Sequence, residues 1–156
     1  VCGVDDIEAG SALRVDTDLV SEYQRSVFHG QVEAERAMDG SFVSDRCVDN
    51  LAYLGQNGNG LRELWESTEC RAYVESLRAP DALVFLVQPH ASAVSADSHR
   101  PAADADERVI LRIDGMVHLL FELAGIPYVP VAAGTVQQRQ RQAARTLELA
   151  GLRPGS

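Results

Sequence analysis

The residues Phe42-Val43-Ser44-Asp45-Arg46 set an acid beside a fixed cation at the end of a short apolar run. A carboxylate so placed can hold a magnesium-bound water or accept a hydroxyl proton, and a guanidinium grips phosphate through a planar fork of donors. If Ser41–Ser44 is a strand, the pair falls beyond its carboxyl end, where open parallel sheets bind their ligands. The structural alternative is an ion pair, or Asp45 as the N-cap of the next helix. A second group is Asp97-Ser98-His99-Arg100 followed by Arg108 and Arg112, the last two at i and i+4 on one helix face. With Arg100 on a loop, these arginines suit a lid that neutralises charge developing during phosphoryl transfer. An ordinary solvated face paired with Asp104, Asp106 or Glu107 accounts for them equally well.

A third group is Gly134-Thr135 with Arg139, where a strand meets a helix N-terminus. Backbone amides and a stackable guanidinium suit a nucleotide there, although a capped helix alone explains the residues. Gln24 and Gln31, at i and i+7 with Glu35 following, line one helix face that either covers a substrate or meets solvent. His29, His90, His99 and His118 lack zinc-ligand spacing. His118 and Trp65 read as core residues. Cys47 has no local signature of a nucleophile.

Composition bounds these readings. The chain has 156 residues, enough for one domain with a real core, and 46% of them are hydrophobic. The net charge of −9 repels nucleic acid and anionic membrane, leaving local arginine clusters to bind a small anion. All 14 basic residues are arginine. Three cysteines without a CxxC pair argue against a disulfide framework or structural zinc and for a reducing, cytoplasmic setting. The apolar runs are too short to span a membrane.

The elements that must position these groups alternate. Asp16-Thr17-Asp18 caps a helix to about Met38, with Leu19, Val20, Tyr23, Val27, Ala34 and Met38 as its apolar stripe and Gly40 as its stop. After the Ser41–Ser44 strand, a helix covers about Cys47 to Gly55, and Gln56–Gly60 is a loop. One helix is expected from Leu61 to Leu77. Ala82–Val87, apolar throughout, predicts a strand buried on both faces of a parallel sheet. Gln88 to Asp106 is a polar segment whose length suits a lid. A helix over 107–125 buries Val109, Ile113, Met116, Val117, Leu120, Phe121 and Ala124. Pro127–Ala132 is a strand, and Thr135-Val136-Gln137-Gln138 reads as a capping box opening the last helix. Strands alternating with helices predict a parallel α/β sheet, but three strands are few for one.

In order, these pieces resemble the nicotinamide-riboside-kinase-like P-loop ATPases, the NadR-type AAA domain. The resemblance covers roughly Arg14 to Leu152. It rests on Phe42–Arg46, the apolar strand after Pro80-Asp81, Asp97-x-x-Arg100, Arg108-x-x-x-Arg112, and Gly125-Ile-Pro-Tyr-Val-Pro-Val-x-x-Gly134 with Arg139. It implies a single α/β domain over 1–156 with a three-layer parallel sheet of the nucleoside or nucleotide kinase type. It implies ATP and magnesium as cofactors, Asp45 near the ion and acceptor, and Arg46 beside it. Arg100, Arg108 and Arg112 would be lid arginines, Gly134 to Arg139 would border the base, and Gln24 and Gln31 would cover the acceptor. The expected function is phosphoryl transfer from ATP to a small hydroxyl acceptor, with homodimerisation among the expected associations.

The sequence departs from the family in one respect. The first strand and the phosphate loop G-x-x-x-x-G-K-[ST] have no counterpart, and Gly55–Gly60 lacks the Lys and Ser/Thr that hold phosphate and metal. The expectation is therefore an N-terminal segment of roughly forty residues beyond this sequence, the size of a strand-loop-helix unit. The 156-residue chain alone is expected to show little or no catalysis. The competing expectation is a non-catalytic nucleotide-binding or protein-interaction module.

Overall fold

Asp16 opens the first helix in the way its sequence foretells. In the computed structural model, which describes residues 16–89, 107–132 and 134–152, its Oδ1 accepts hydrogen bonds from the amides of Asp18 at 2.9 Å and Leu19 at 3.2 Å. These amides have no partner within the helix, so the cap satisfies them. Helix α1 runs Thr17–Arg36, followed by α2 Asp49–Asn57, α3 Leu61–Trp65 and α4 Thr68–Leu77. Strand β1 is Val84–Val87, α5 is Glu107–Ala124, β2 is Tyr128–Val131 and α6 is Val136–Leu149.

The buried face of α1 carries Val20, Phe28 and Val32, while Leu19, Tyr23 and Met38 are exposed. The expected stripe took a neighbouring face and passed over Phe28. Phe28 is wholly apolar and its large ring gains most from burial, because the hydrophobic gain follows area, whereas Tyr23 keeps its hydroxyl in water. Gln24 and Gln31 interleave with these buried residues instead of lying opposite them.

Ser41–Ser44 is not a strand. Phe42 is 44% and Val43 99% exposed. An extended segment needs a neighbour for its amides and carbonyls, and no described strand lies beside this one. Asp45 therefore does not stand at a strand end. The expected helix over Leu61–Leu77 is broken as well. Ser67 Oγ accepts from the Cys70 amide at 3.1 Å and starts α4 anew, an N-cap signal that competes with continuing α3.

β1 and β2 pair in parallel, with Val84 opposite Tyr128 and Val87 opposite Val131. α5 lies between them in the chain, the connection that parallel pairing demands. The Gln88 amide extends the ladder by donating to the Val131 carbonyl at 3.0 Å. β1 was expected to be buried on both faces, and it is not. Val84 and Leu86, on one face, join the core, whereas Val87 is 52% exposed. A strand loses both faces to the interior only where layers cover both, and on the second face cover is uneven: Val131, beside Val87, is 2% exposed.

The core joins α1, α2 and α5 through Phe28, Leu51, Leu54, Val117, Leu120 and Phe121. Val117, Leu120 and Phe121 are buried, and Ile113, Met116 and Ala124 pack against them, as the helical period predicts. α6 begins with a complete capping box: Gln138 N donates to Thr135 Oγ1 at 3.2 Å, and Thr135 N donates to Gln138 Oε1 at 2.8 Å. No described helix is long and apolar enough to cross a membrane.

Gly60 precedes α3 with φ of +79°, a left-handed conformation that a Cβ disfavours. The Arg25 guanidinium lies against its Cα and donates to the Gly60 carbonyl at 3.3 Å and to Glu63 at 2.8 Å. Gly60→Ala is expected to lower stability by about 1–3 kcal/mol, measured by urea unfolding. A change below about half a kcal/mol would show that this turn is not held in its left-handed form.

Candidate functional site

The described residues bring polar side chains together most densely between α1, α2 and α4. Gln31 stands on the inner face of α1 between Phe28 and Glu35, because that helix turns its apolar stripe toward α2. Its Nε2 donates to Glu35 Oε1 at 3.0 Å and to Tyr73 Oη at 2.9 Å, and the Tyr73 hydroxyl points to Glu35 Oε1 at 3.4 Å. Ser44 Oγ reaches the same carboxylate oxygen at 2.6 Å. On the other side, Asn50 Nδ2 donates to Gln31 Oε1 at 3.2 Å, and Arg46 Nη1 donates to Asn50 Oδ1 at 3.4 Å. A continuous relay thus runs from an exposed guanidinium through a buried amide to a carboxylate that collects three donors. Asn50 is only 1% exposed, so its hydrogen bonds offset the cost of burying its amide.

Two sequence-selected residues, Gln31 and Arg46, belong to this network, and Gln24 lies on the same α1 face. Asn50, Tyr73, Ser44 and Glu35 complete it. No local motif marks Asn50 or Tyr73 as a site residue. Their signal was present: Gln31 and Glu35, four residues apart, bracket the buried Val32, so a polar pair faced the interior and needed partners. Arg46 pairs with Asp49 Oδ2 at 3.4 Å, an ion pair of the kind that the structural alternative for this dipeptide expects. Asp45 is exposed and makes no hydrogen bond or ion pair with a described residue.

Cys47 lies at the edge of this network, its carbonyl 3.5 Å from Gln31 Nε2. Burial, with Asp49 and Glu35 nearby, pushes its thiol from 9.0 up to about 12. The thiolate is the nucleophilic form, so Cys47 is inert at neutral pH. Burial also raises the Tyr73 hydroxyl, with Cys47 and Glu35 adding to the shift.

These shifts fix the sign of an alkaline effect. Cys47 has a higher pKa folded than unfolded, so its contribution is complete below pH 9.0 and disappears as pH rises toward about 12. Stability is expected to fall above pH 9.0, with Cys47 contributing at most about 1.4 kcal/mol per pH unit. Urea midpoints between about pH 8 and pH 11 test this. Cys47→Ala should flatten the slope, and an unchanged slope would remove Cys47 as its source.

The second locus is the start of α6, directly after the carboxyl end of β2. Gly134 is half-buried and the capping box engages the Thr135 and Gln138 amides, so these two are not open to a ligand. Arg139, one turn into α6, is different. Its Nε and Nη2 are closed off from solvent and have no hydrogen-bond partner among the described residues. Desolvated guanidinium donors without an acceptor are costly, and an anion is the chemistry that satisfies them.

Arg108 and Arg112 are both exposed on α5, with Arg112 Nε donating to the Arg108 carbonyl at 3.3 Å. Arg100 and the greater part of the expected lid, residues 90–106, lie outside the described residues. A cavity of about 420 Å³ opens elsewhere, lined by Trp65, Arg71, Val74, Arg78 and Leu123, and no sequence-selected site residue borders it. No three His, Cys, Asp or Glu side chains group around a point that could hold a metal among the described residues. Asp45 by itself is a single carboxylate, which does not fit magnesium well enough to carry a step.

Searches against family models, curated proteins and solved structures each returned no match to this chain.

Proposed function

We propose that this chain is an anion-binding α/β domain that holds a nucleotide at the start of α6, in a three-layer domain of the P-loop kinase kind. The single observation that carries the reading is Arg139, with two buried guanidinium nitrogens lacking an acceptor among the described residues, just beyond a parallel strand. Ligands of parallel sheets gather at that end, and a triphosphate offers oxygens in the geometry a guanidinium fork takes. The activity proposed is transfer of the ATP γ-phosphoryl group to a small hydroxyl acceptor in a cytoplasmic setting. Arg108, Arg112 and Arg100 would serve as neutralising cations and Asp45 as the free carboxylate. Gln24, Gln31 and the Asn50–Glu35 relay would border the acceptor.

Calorimetry with ATP and GTP tests the nucleotide reading. Binding that disappears in Arg139→Met supports it, and no heat with either nucleotide overturns it. A magnesium-dependent assay with nucleosides then tests catalysis, with Asp45→Asn as control; unchanged turnover in that variant removes the role given to Asp45. A second reading is a nucleotide-binding or interaction module without catalysis, in which Arg139 binds the anion and no phosphoryl group is transferred. Nucleotide binding without ADP formation selects it.

A further inference from the structure

The face of α4 turned toward the end of α5 carries Arg71, Val74 and Glu75, with Arg78 at its C-cap. The spacing i, i+3, i+4 and i+7 puts all four on one side. Between them, Trp65 at the end of α3 and Leu123 in the last turn of α5 lies the cavity of about 420 Å³. Its apolar wall meets solvent: Leu123 is 68% exposed, and Trp65 packs against the core while lining the cavity. The charges of the lining are paired except at one place. Arg62 Nε holds Glu66 at 2.9 Å and Arg78 Nη1 holds Glu75 at 2.8 Å, whereas Arg71 makes no hydrogen bond or ion pair with a described residue.

We propose that this cavity binds a small aromatic monocarboxylate, with the ring against Trp65 and Leu123 and the carboxylate on Arg71. The volume is near the small end of the range that holds small-molecule ligands, and an apolar wall with a few placed polar groups is the usual composition of such sites. An aromatic ring gains from contact with an indole beyond the area it buries. A guanidinium takes a carboxylate through two parallel hydrogen bonds. The pairs Arg62–Glu66 and Arg78–Glu75 cancel, so the lining offers one net positive charge, at Arg71. A monoanion matches it. A dianion or trianion would meet two glutamates at the rim and the field of a chain with net charge −9. Arg139 does not line this cavity, so its ligand and the nucleotide proposed at α6 are separate.

Trp65 is the single tryptophan of the chain, so its fluorescence reports on the cavity directly. Phenylacetate is the probe, titrated into the full chain at constant ionic strength. Phenylacetamide is the uncharged control, and circular dichroism checks the folding of each variant. The acid should change the emission saturably, with a Kd in the millimolar range or below, and the amide should bind about three- to tenfold more weakly. Arg71→Gln should lower the affinity for the acid to that for the amide and leave the amide unchanged. Leu123→Ser, at an exposed position, should weaken both, and Arg139→Met should leave the titration as it is. No saturable response up to about 10 mM would overturn the proposal. Equal affinity for acid and amide, or indifference to Arg71→Gln or Leu123→Ser, would overturn it too. Loss of the response in Arg139→Met would place the anion at α6 instead.

Discussion

Arg139→Met is expected to make the protein more stable and deaf to nucleotide at once. In the wild type, two guanidinium nitrogens are withdrawn from water without an acceptor among the described residues. Leaving buried donors unsatisfied costs about 1–3 kcal/mol, and more when the group is charged. Methionine keeps the length of the side chain and packs as an apolar residue, so the urea midpoint should rise by an amount of that order. With ATP added, the wild type should gain about 2.7 kcal/mol at a ligand concentration near 100 Kd, while the variant gains nothing. Arg139→Lys should gain neither the stability nor the full affinity, because a point charge does not reproduce the fork. Opposite signs for stability and ligand response separate a binding arginine from a structural one. A variant that loses stability would show that Arg139 holds the fold, and an ATP response that survives in Arg139→Met would show that the nucleotide binds elsewhere.

The outcome at Asp45-Arg46 shows where local pattern stops being informative. An acid next to an arginine after an apolar run fits a strand end, but a strand exists only with a neighbour, and neighbours are set by residues far along the chain. Without one, Phe42 and Val43 stay in solvent, and Arg46 turns to Asp49, three residues on. Elements governed by nearest neighbours were legible. The Asp16 cap, the Thr135–Gln138 box and the inner face of α5 all follow from short-range rules.

The polar network lies between these cases. Gln31 and Glu35 are visible as a pair on α1, but Asn50 and Tyr73 become their partners only through the packing of α2 and α4 beside α1. The apolar stripe decides which way this pair faces. With Leu19, Tyr23 and Met38 turned inward, Gln31 faces water; with Phe28 inward, it faces Tyr73. One aromatic residue decides whether the site exists.

Phe28→Ala therefore combines the largest loss of stability with loss of the network. Phe28 is 0% exposed, and its ring meets Tyr73 edge-on at 5.7 Å between centroids, with an interplanar angle of 84°. Truncating a fully buried phenylalanine costs about 3–5 kcal/mol, which is a large fraction of the stability of a small domain. The cavity would open directly under Tyr73, whose hydroxyl accepts from Gln31 and points to Glu35. Once Tyr73 can settle into that space, Gln31 loses one of its acceptors and Glu35 one of its donors. Phe28→Leu fills much of the volume and should cost less, while still removing the edge-on ring contact worth about 0.5–1.5 kcal/mol. Tyr73→Phe removes the hydroxyl and leaves the packing intact. Urea unfolding of the three variants separates the contributions: Phe28→Ala should be much the most destabilised, and Tyr73→Phe should cost about 1–2 kcal/mol through the hydrogen bonds alone. If Phe28→Ala costs no more than Tyr73→Phe, the packing of α1 on α4 is not what holds the relay together, and Gln31 and Glu35 are set by α1 itself.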